Sequence, residues 1–338
     1  MYEQYFGFVA KPFQLAPDPD FFFGSRGHKR AMAYLNYGLH QAEGFIVITG
    51  EVGAGKTTLI RNVLSQLSDQ QIVATQIVSS QLNENDLLRT VALGFGLTLA
   101  HDSKADLLIA LSSFFDSLMR EGKRALLIVD ETQNLSARAI EELRMLSNFQ
   151  AGSKSLLQSF LVGQPEFREV MQRPEMKQLK QRVIASFHLG PLDKGETRQY
   201  IEHRLHKVGW NQSNLQFEAA AFDKIAEATN GIPRRINTLC DRLLLATFLA
   251  EQQVVTAETV DEISTEILDE LSSIQIMGST SNLAVSSRKD VSNSVTAQVN
   301  RSEQLDRIEK SLQLIQMQLQ TLLAVNNSKA TYERNINT

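Results

Sequence analysis

Eight residues, Gly50, Glu51, Val52, Gly53, Ala54, Gly55, Lys56 and Thr57, fit the pattern G-x-x-x-x-G-K-[ST] at every fixed position. That spacing serves the capture of a polyphosphate. Glycines let the backbone wrap closely round phosphate oxygens, and a helix starting behind them offers free N–H groups and the positive end of its dipole. Lys56 is expected to reach the β- and γ-phosphates of ATP, with Thr58 following in the same helix. The Thr57 hydroxyl is expected to ligate magnesium. A glycine-rich turn with a surface lysine is the plain alternative. Against it, the string lies between a strand-like run, FIVIT (45–49), and a helix-like run, TTLIRNVLSQL.

Other residues fall where such a site needs them. Asp130 and Glu131 close the apolar run LLIVDE. An acid at a strand tip beside the phosphate loop holds magnesium, and the next glutamate can take a proton from attacking water. The pair favours an NTP-hydrolysing motor or switch, and no LSGGQ-like string of a transporter ATPase follows. Gln164 ends the run FLVGQ, where its amide could orient the water, sense the γ-phosphate or simply cap the loop before Pro165. Arg182 precedes another strand-like run and could act on a neighbouring subunit's γ-phosphate, with Arg168 and Arg173 as competitors. In NGIPRRIN, Arg234 starts a helix and could point back at bound ATP; the plain alternative is a surface ion pair.

These residues need a scaffold, and the hydrophobic pattern supplies one. Strand-like runs at 45–49, 71–79, 124–131, 156–164 and 182–190 are separated by helical stretches, including 86–95 and 104–120. Continuous apolar runs suit strands buried on both faces, and the alternation predicts a parallel α/β sheet with right-handed crossovers. After Pro191 helices are expected at 193–207, 218–228, 233–251 and 256–271. The segment 1–44, rich in aromatics and interrupted by Pro12, Pro17 and Pro19, reads as a strap packed on the core 45–190. A helical domain follows over 191–273. A Ser/Thr/Asn-rich linker is expected at 274–300 and a short heptad helix at 301–326.

Composition bounds the function. The chain has 338 residues, 43% apolar and 21% charged, with a net charge of −4. That length suits about two domains, and the acid balance argues against a DNA-coating protein. The basic strings 25–30 and 177–182 are short, so nucleic-acid binding is not expected. The lone Cys240 cannot make an intrachain disulfide or a multi-cysteine metal site. His203 and His206 share a helix face without a clustered third ligand. No apolar run reaches the ~18 residues of a membrane span, and MYEQYFGF does not read as a signal peptide, so a cytoplasmic protein is expected.

The strings YFGFVAKPFQLAPDPDFFFGSRGHKRAMAYL, GFIVITGEVGAGKTTL, ALLIVDETQNL, ELRMLSNFQ, SFLVGQPEF, LKQRVIASFHLGPL and NGIPRRIN carry a resemblance. From Tyr2 to about Leu271 the chain resembles the AAA+ ATPases of the general secretion pathway protein A type. Within that group it resembles the exosortase-associated (PEP-CTERM system) ATPases. The resemblance implies an ASCE-class AAA+ core followed by a helical lid, using ATP and magnesium. It makes Lys56 and Thr57 the phosphate and magnesium residues, and Asp130 and Glu131 the Walker B pair. Gln164 resembles sensor 1, Arg182 the arginine finger and Arg234 sensor 2. It further implies a homo-oligomer that serves an envelope polysaccharide or exosortase system, peripheral at the inner membrane through partners. Larger relatives continue into a membrane span and a peptidoglycan-binding domain, neither of which is read here, so a direct cell-wall role is not expected. A DNA-linked AAA+ ATPase of transposition-helper or initiator type is the alternative; a basic surface or appended winged helix would mark it.

In the tail, Leu305, Ile308, Leu312, Ile315, Leu319 and Leu322 recur at alternating threes and fours. This heptad stripe is expected to mediate self-association or partner docking.

Overall fold

Five apolar runs become the parallel strands β1 (Phe45–Gly50), β2 (Ile72–Val78), β3 (Arg124–Asp130), β4 (Leu157–Gly163) and β5 (Val183–Leu189). The sheet order is β2-β3-β4-β1-β5. The structure is a computed structural model that describes residues 1–16, 18–67, 71–79, 82–98, 103–152 and 154–282. Every residue of β1 and β4 is buried, as continuous apolar runs require of central strands. Register pairs Thr49 with Gly163, and Val129 with Leu161. The C-terminal ends of β1, β3 and β4 therefore share one edge of the sheet.

Side-chain alternation divides the sheet's apolar residues between two layers. Phe45, Val47, Leu127, Val129 and Leu161 meet the buried faces of α4 (Glu84–Gly94), α5 (Lys104–Arg120) and α6 (Ala137–Leu146). On the other face, Ile46, Ile48, Ile128 and Val162 meet α2 (Arg26–Gln41) and α3 (Lys56–Leu67). Asn83, Ser103 and Ser136 cap α4, α5 and α6 through their side chains. Short helices α7 (Glu166–Gln172) and α8 (Lys177–Lys180) lead from β4 to β5.

The helical domain holds α9 (Lys194–Lys207), α10 (Ala219–Thr229), α11 (Pro233–Leu249) and the start of α12 (Ala257–Asn282). Asp193 and Glu196 form a reciprocal capping box on α9. The domain is not wholly helical, because Gln216–Phe217 pairs in parallel with Val254–Val255.

The N-terminal segment differs from the expected strap on the core. Residues Tyr2 and Phe6, on the short helix α1 (Tyr2–Phe6), and Phe8 and Phe13 are buried among Tyr200, Leu205, Ile236, Leu243 and other residues of the helical domain. The reason is area: four short helices leave an apolar face open, and each ring buried there is worth about 1.5–3 kcal/mol. Residues 26–41, by contrast, do pack on the sheet, as a capped amphipathic helix whose Ala31, Leu35 and Leu39 line one side. One segment thus serves two bodies.

Contacts divide the chain into Met1–Glu270 and Leu271–Thr338. Of the second unit only the end of α12 is described. That helix runs on to Asn282, past the expected end near 271 and into the expected linker. No proline interrupts the stretch, and its first glycine is Gly278. The rest of the linker and the heptad stripe lie outside the described residues.

Candidate nucleotide-binding site

The loop 50–57 leaves the central strand β1 and turns into α3 at Lys56. Gly53 and Gly55 have φ of +84° and +96°, the left-handed region that glycine enters freely. Both are also closely approached: a Cβ on Gly53 would lie 2.4 Å from Arg234 Cβ, and one on Gly55 2.8 Å from His28 Nε2. Lys56 is buried, and its ammonium donates to the carbonyls of Gly50 at 2.7 Å and Glu51 at 3.0 Å. Burial lowers its pKa, while the charges of Glu131, Asp130, Glu51 and Glu166 pull the other way. A buried cation inside a ring of backbone is a cradle for an anion.

The tip of β3 faces that cradle. The Thr57 hydroxyl donates to Asp130 Oδ2 across 3.4 Å, and Gln76 Nε2 donates to the same oxygen at 3.4 Å. Burial raises the Asp130 pKa, the Glu131 N–H bond lowers it, and the Glu131 charge raises it further. A hydroxyl and a carboxylate converging beside a phosphate cradle are hard oxygen donors that fit magnesium. Glu131 itself has φ +54° and ψ +39°, a costly conformation for a non-glycine residue. The turn after it is pinned by the Thr132 hydroxyl, whose one proton lies between the carbonyls of Val129 at 3.0 Å and Val162 at 2.9 Å. Two amides then hold the carboxylate: Gln133 Nε2 donates to Glu131 Oε2 at 2.5 Å and Gln164 Nε2 to the same atom at 2.9 Å. The Gln164 N–H in turn donates to Gln133 Oε1 at 2.9 Å. Burial raises the Glu131 pKa, but these amides and Lys56 outweigh it and hold the carboxyl below its ordinary value.

The cleft over the loop has a volume of about 1030 Å³, counting its open mouth. Its far wall comes from strap residues 14–16, 18 and 21–23 and from α9 and α11. There Arg204, 6% exposed, donates from Nε to the Pro12 carbonyl at 2.6 Å and from Nη1 to the Tyr200 hydroxyl at 3.1 Å. Its guanidinium lies 4.7 Å over the Phe21 ring. Tyr200 donates to Asn237 Oδ1 at 2.8 Å, and Asn237 Nδ2 to the Gln14 carbonyl at 3.0 Å. Arg204 Nη2 is buried without a hydrogen-bond partner among the described residues. This wall therefore combines the Phe21, Phe22, Phe23 and Tyr200 rings with the polar groups of Gln14, Arg204 and Asn237.

The structure therefore gathers Lys56, Thr57, Thr58, Asp130, Glu131, Gln164 and Arg234 round one cleft. Val52, Gly53 and Gly55 line it, Gly50 and Glu51 bind the lysine through their carbonyls, and Ala54 N–H closes the turn onto Glu51 at 3.1 Å. Arg234 arrives because its backbone N–H donates to the Gly53 carbonyl at 3.2 Å, at the exposed start of α11. Arg182 does not arrive. It precedes β5, next to Phe45, at the opposite end of the sheet, where it donates to Ser147 Oγ at 2.7 Å and to Asn148 Oδ1. His203 and His206 pack on the rings of Phe23 and Trp210.

Residues 39–171 match the family model of the AAA domain. The fold is that of an AAA+ P-loop NTPase. Among solved AAA+ structures, ORC2 of Aeropyrum pernix (ADPNP-ADP complexes) superposes with a TM-score of 0.55 at 20% identity, covering 71% of this chain and 67% of that one. Cdc6p from Pyrobaculum aerophilum gives 0.57 at 15% identity, covering 78% and 70%. Identities this low speak to the fold alone. General secretion pathway protein A of Aeromonas hydrophila is 39% identical over 251 residues, which are 73% of this chain and 45% of that protein. The chain thus spans less than half the length of this curated relative. Among the described residues no helix is long and apolar enough to cross a membrane.

Sequence reasoning missed Gln133, His28 and the cleft-wall residues Tyr200, Arg204 and Asn237. Gln133 had a local signal, sitting two residues after Glu131 in DETQ. His28 had a weaker one, three residues after a helix-capping serine. The far wall had none, because it joins residues 192 and 223 positions apart.

Proposed function

We propose that this chain is a magnesium-dependent ATPase, an AAA+ switch of the general secretion pathway protein A type. The observation that carries the reading is the Glu131 carboxylate, held by two glutamines beside the Lys56 cradle. Lys56 and the loop N–H groups would hold the β- and γ-phosphates, and the strap with Tyr200, Arg204 and Asn237 would hold the base. Thr57 and Asp130 would hold magnesium, which when bound neutralises charge on the phosphate oxygens. Glu131, kept ionised, accepts the proton of the attacking water on Oε1 or Oε2 while Gln133 and Gln164 fix its angle. Arg234, on the first turn of α11, couples the helical domain to the phosphate state.

The sequence match to a secretion protein supports service to an envelope secretion system, and the resemblance to exosortase-associated ATPases extends that reading to an exosortase or polysaccharide system. In that reading the protein is cytoplasmic, works as a homo-oligomer, and meets the inner membrane through its partners.

The test separates binding from turnover. Lys56→Ala is expected to lose ATP binding. Glu131→Gln is expected to bind ATP normally and to release phosphate at least about 100-fold more slowly, since an amide accepts no proton. Equal phosphate release by Glu131→Gln and the wild type would remove Glu131 as the base.

A further inference from the structure

His28 stands directly against the phosphate loop, and nothing in the chemistry above uses it. Ser25 caps α2: its Oγ accepts the His28 backbone N–H at 3.2 Å and lies 2.7 Å from His28 Nδ1. The ring meets Phe22 edge-on with centroids 5.6 Å apart, and the residue is buried. The ring lies against the loop backbone at Ala54, and Nε2 is the atom that a Cβ on Gly55 would meet at 2.8 Å. The Ala54 carbonyl only accepts, so Nε2 carries the proton; Nδ1 then accepts from the Ser25 hydroxyl. Nδ1 is thus committed to a helix cap, and Nε2 faces the loop.

We propose that His28 is a positioning residue of the phosphate site, which pins the Ala54 carbonyl and so turns the Gly55 N–H toward the phosphates. A trans peptide unit is planar, with its C=O and N–H pointing in opposite directions, so fixing one end orients the other. The loop needs such a pin, because glycines on both sides of Ala54 offer little resistance to peptide rotation. A donor already aimed at its anion costs no reorganisation when charge arrives. The Gly55 N–H adjoins Lys56, so its target is the β-phosphate side of the nucleotide and not the α-phosphate. This inference rests on the nucleotide reading.

The experiment measures ADP and AMP binding to the full chain, by competition against a fluorescent ADP analogue, with melting temperature read in parallel. His28→Leu fills the space without a donor, whereas His28→Gln keeps an amide donor able to reach the carbonyl. The expected result is that His28→Leu weakens ADP about tenfold, the worth of one well-aimed hydrogen bond. AMP affinity is expected to stay within about twofold, and His28→Gln to recover most of the ADP affinity. Unchanged ADP affinity in His28→Leu, or equal losses for ADP and AMP in both variants, overturns the assignment. A wild type that binds neither the analogue nor ADP overturns the nucleotide reading itself.

Discussion

Burial of the His28 imidazole drags its pKa from an ordinary 6.5 down to about 4, against the raising pull of Glu196 and the Ala54 carbonyl. Folding therefore excludes a proton that the unfolded chain takes up as pH falls below 6.5. The stability tied to the neutral ring is intact above pH 6.5, shrinks through the interval, and is reduced by about 3 kcal/mol near pH 4. Urea unfolding at a series of pH values is expected to show that loss in the wild type and not in His28→Gln. Parallel pH profiles for the two proteins would count against a buried neutral histidine. At this scale the sequence was readable where chemistry is local. Lys56 and Thr57 sit in one string, and Asp130 and Glu131 end one apolar run, so strand ends alone bring them together. Gln164 followed from the same rule, one strand over. His28 reads as part of a basic surface string because its partner, the Ala54 carbonyl, is set by how α2 lies on the sheet, which no spacing announces.

Among elements, the strap is the least self-sufficient. Its turns have no sheet or helix ladder to satisfy them, and the Pro12 and Gln14 carbonyls are met instead by Arg204 and Asn237 of the helical domain. Replacing Arg204 by Ala removes a charged donor from Pro12, a bond to Tyr200 and the cover over Phe21. The expected cost is on the order of 2–4 kcal/mol, seen as a lower melting temperature and as new protease cleavage within residues 10–23. A variant with wild-type melting and an unchanged digest would show that other contacts hold the strap. The five strands were legible as elements, since each is an apolar run bounded by polar or glycine residues. Helix α2 was not, because the aromatics and prolines just before it dominate the pattern and its own stripe is only Ala31, Leu35 and Leu39. The destination of the strap was also hidden, as periodicity reports that a face is apolar without naming the face that covers it.

For the whole molecule, Arg182 poses the question of what lies beyond one chain. Its place at the far end of the sheet leaves it no part in its own cleft. Its expected role in trans requires a neighbour. Arg182→Ala and Lys56→Ala are each expected to be nearly inactive alone, while a mixture regains activity from interfaces that join an intact loop to an intact arginine. A co-assembling mixture with no gain over its parts would leave Arg182 as a brace for the end of α6. The route of the chain through the two bodies also has a price during synthesis. Tyr2, Phe6, Phe8 and Phe13 find their partners in residues such as Ile236 and Asp241, and Tyr2 donates its hydroxyl to the latter. Those partners leave the ribosome about 230 residues later, roughly 12–46 s at ordinary elongation rates. Until then the aromatic segment lacks much of the face that buries it, while the α/β body behind it is already complete enough to fold. Nascent chains arrested before residue 230 should therefore carry a sticky leader on a finished core, the kind of exposed segment that chaperones hold.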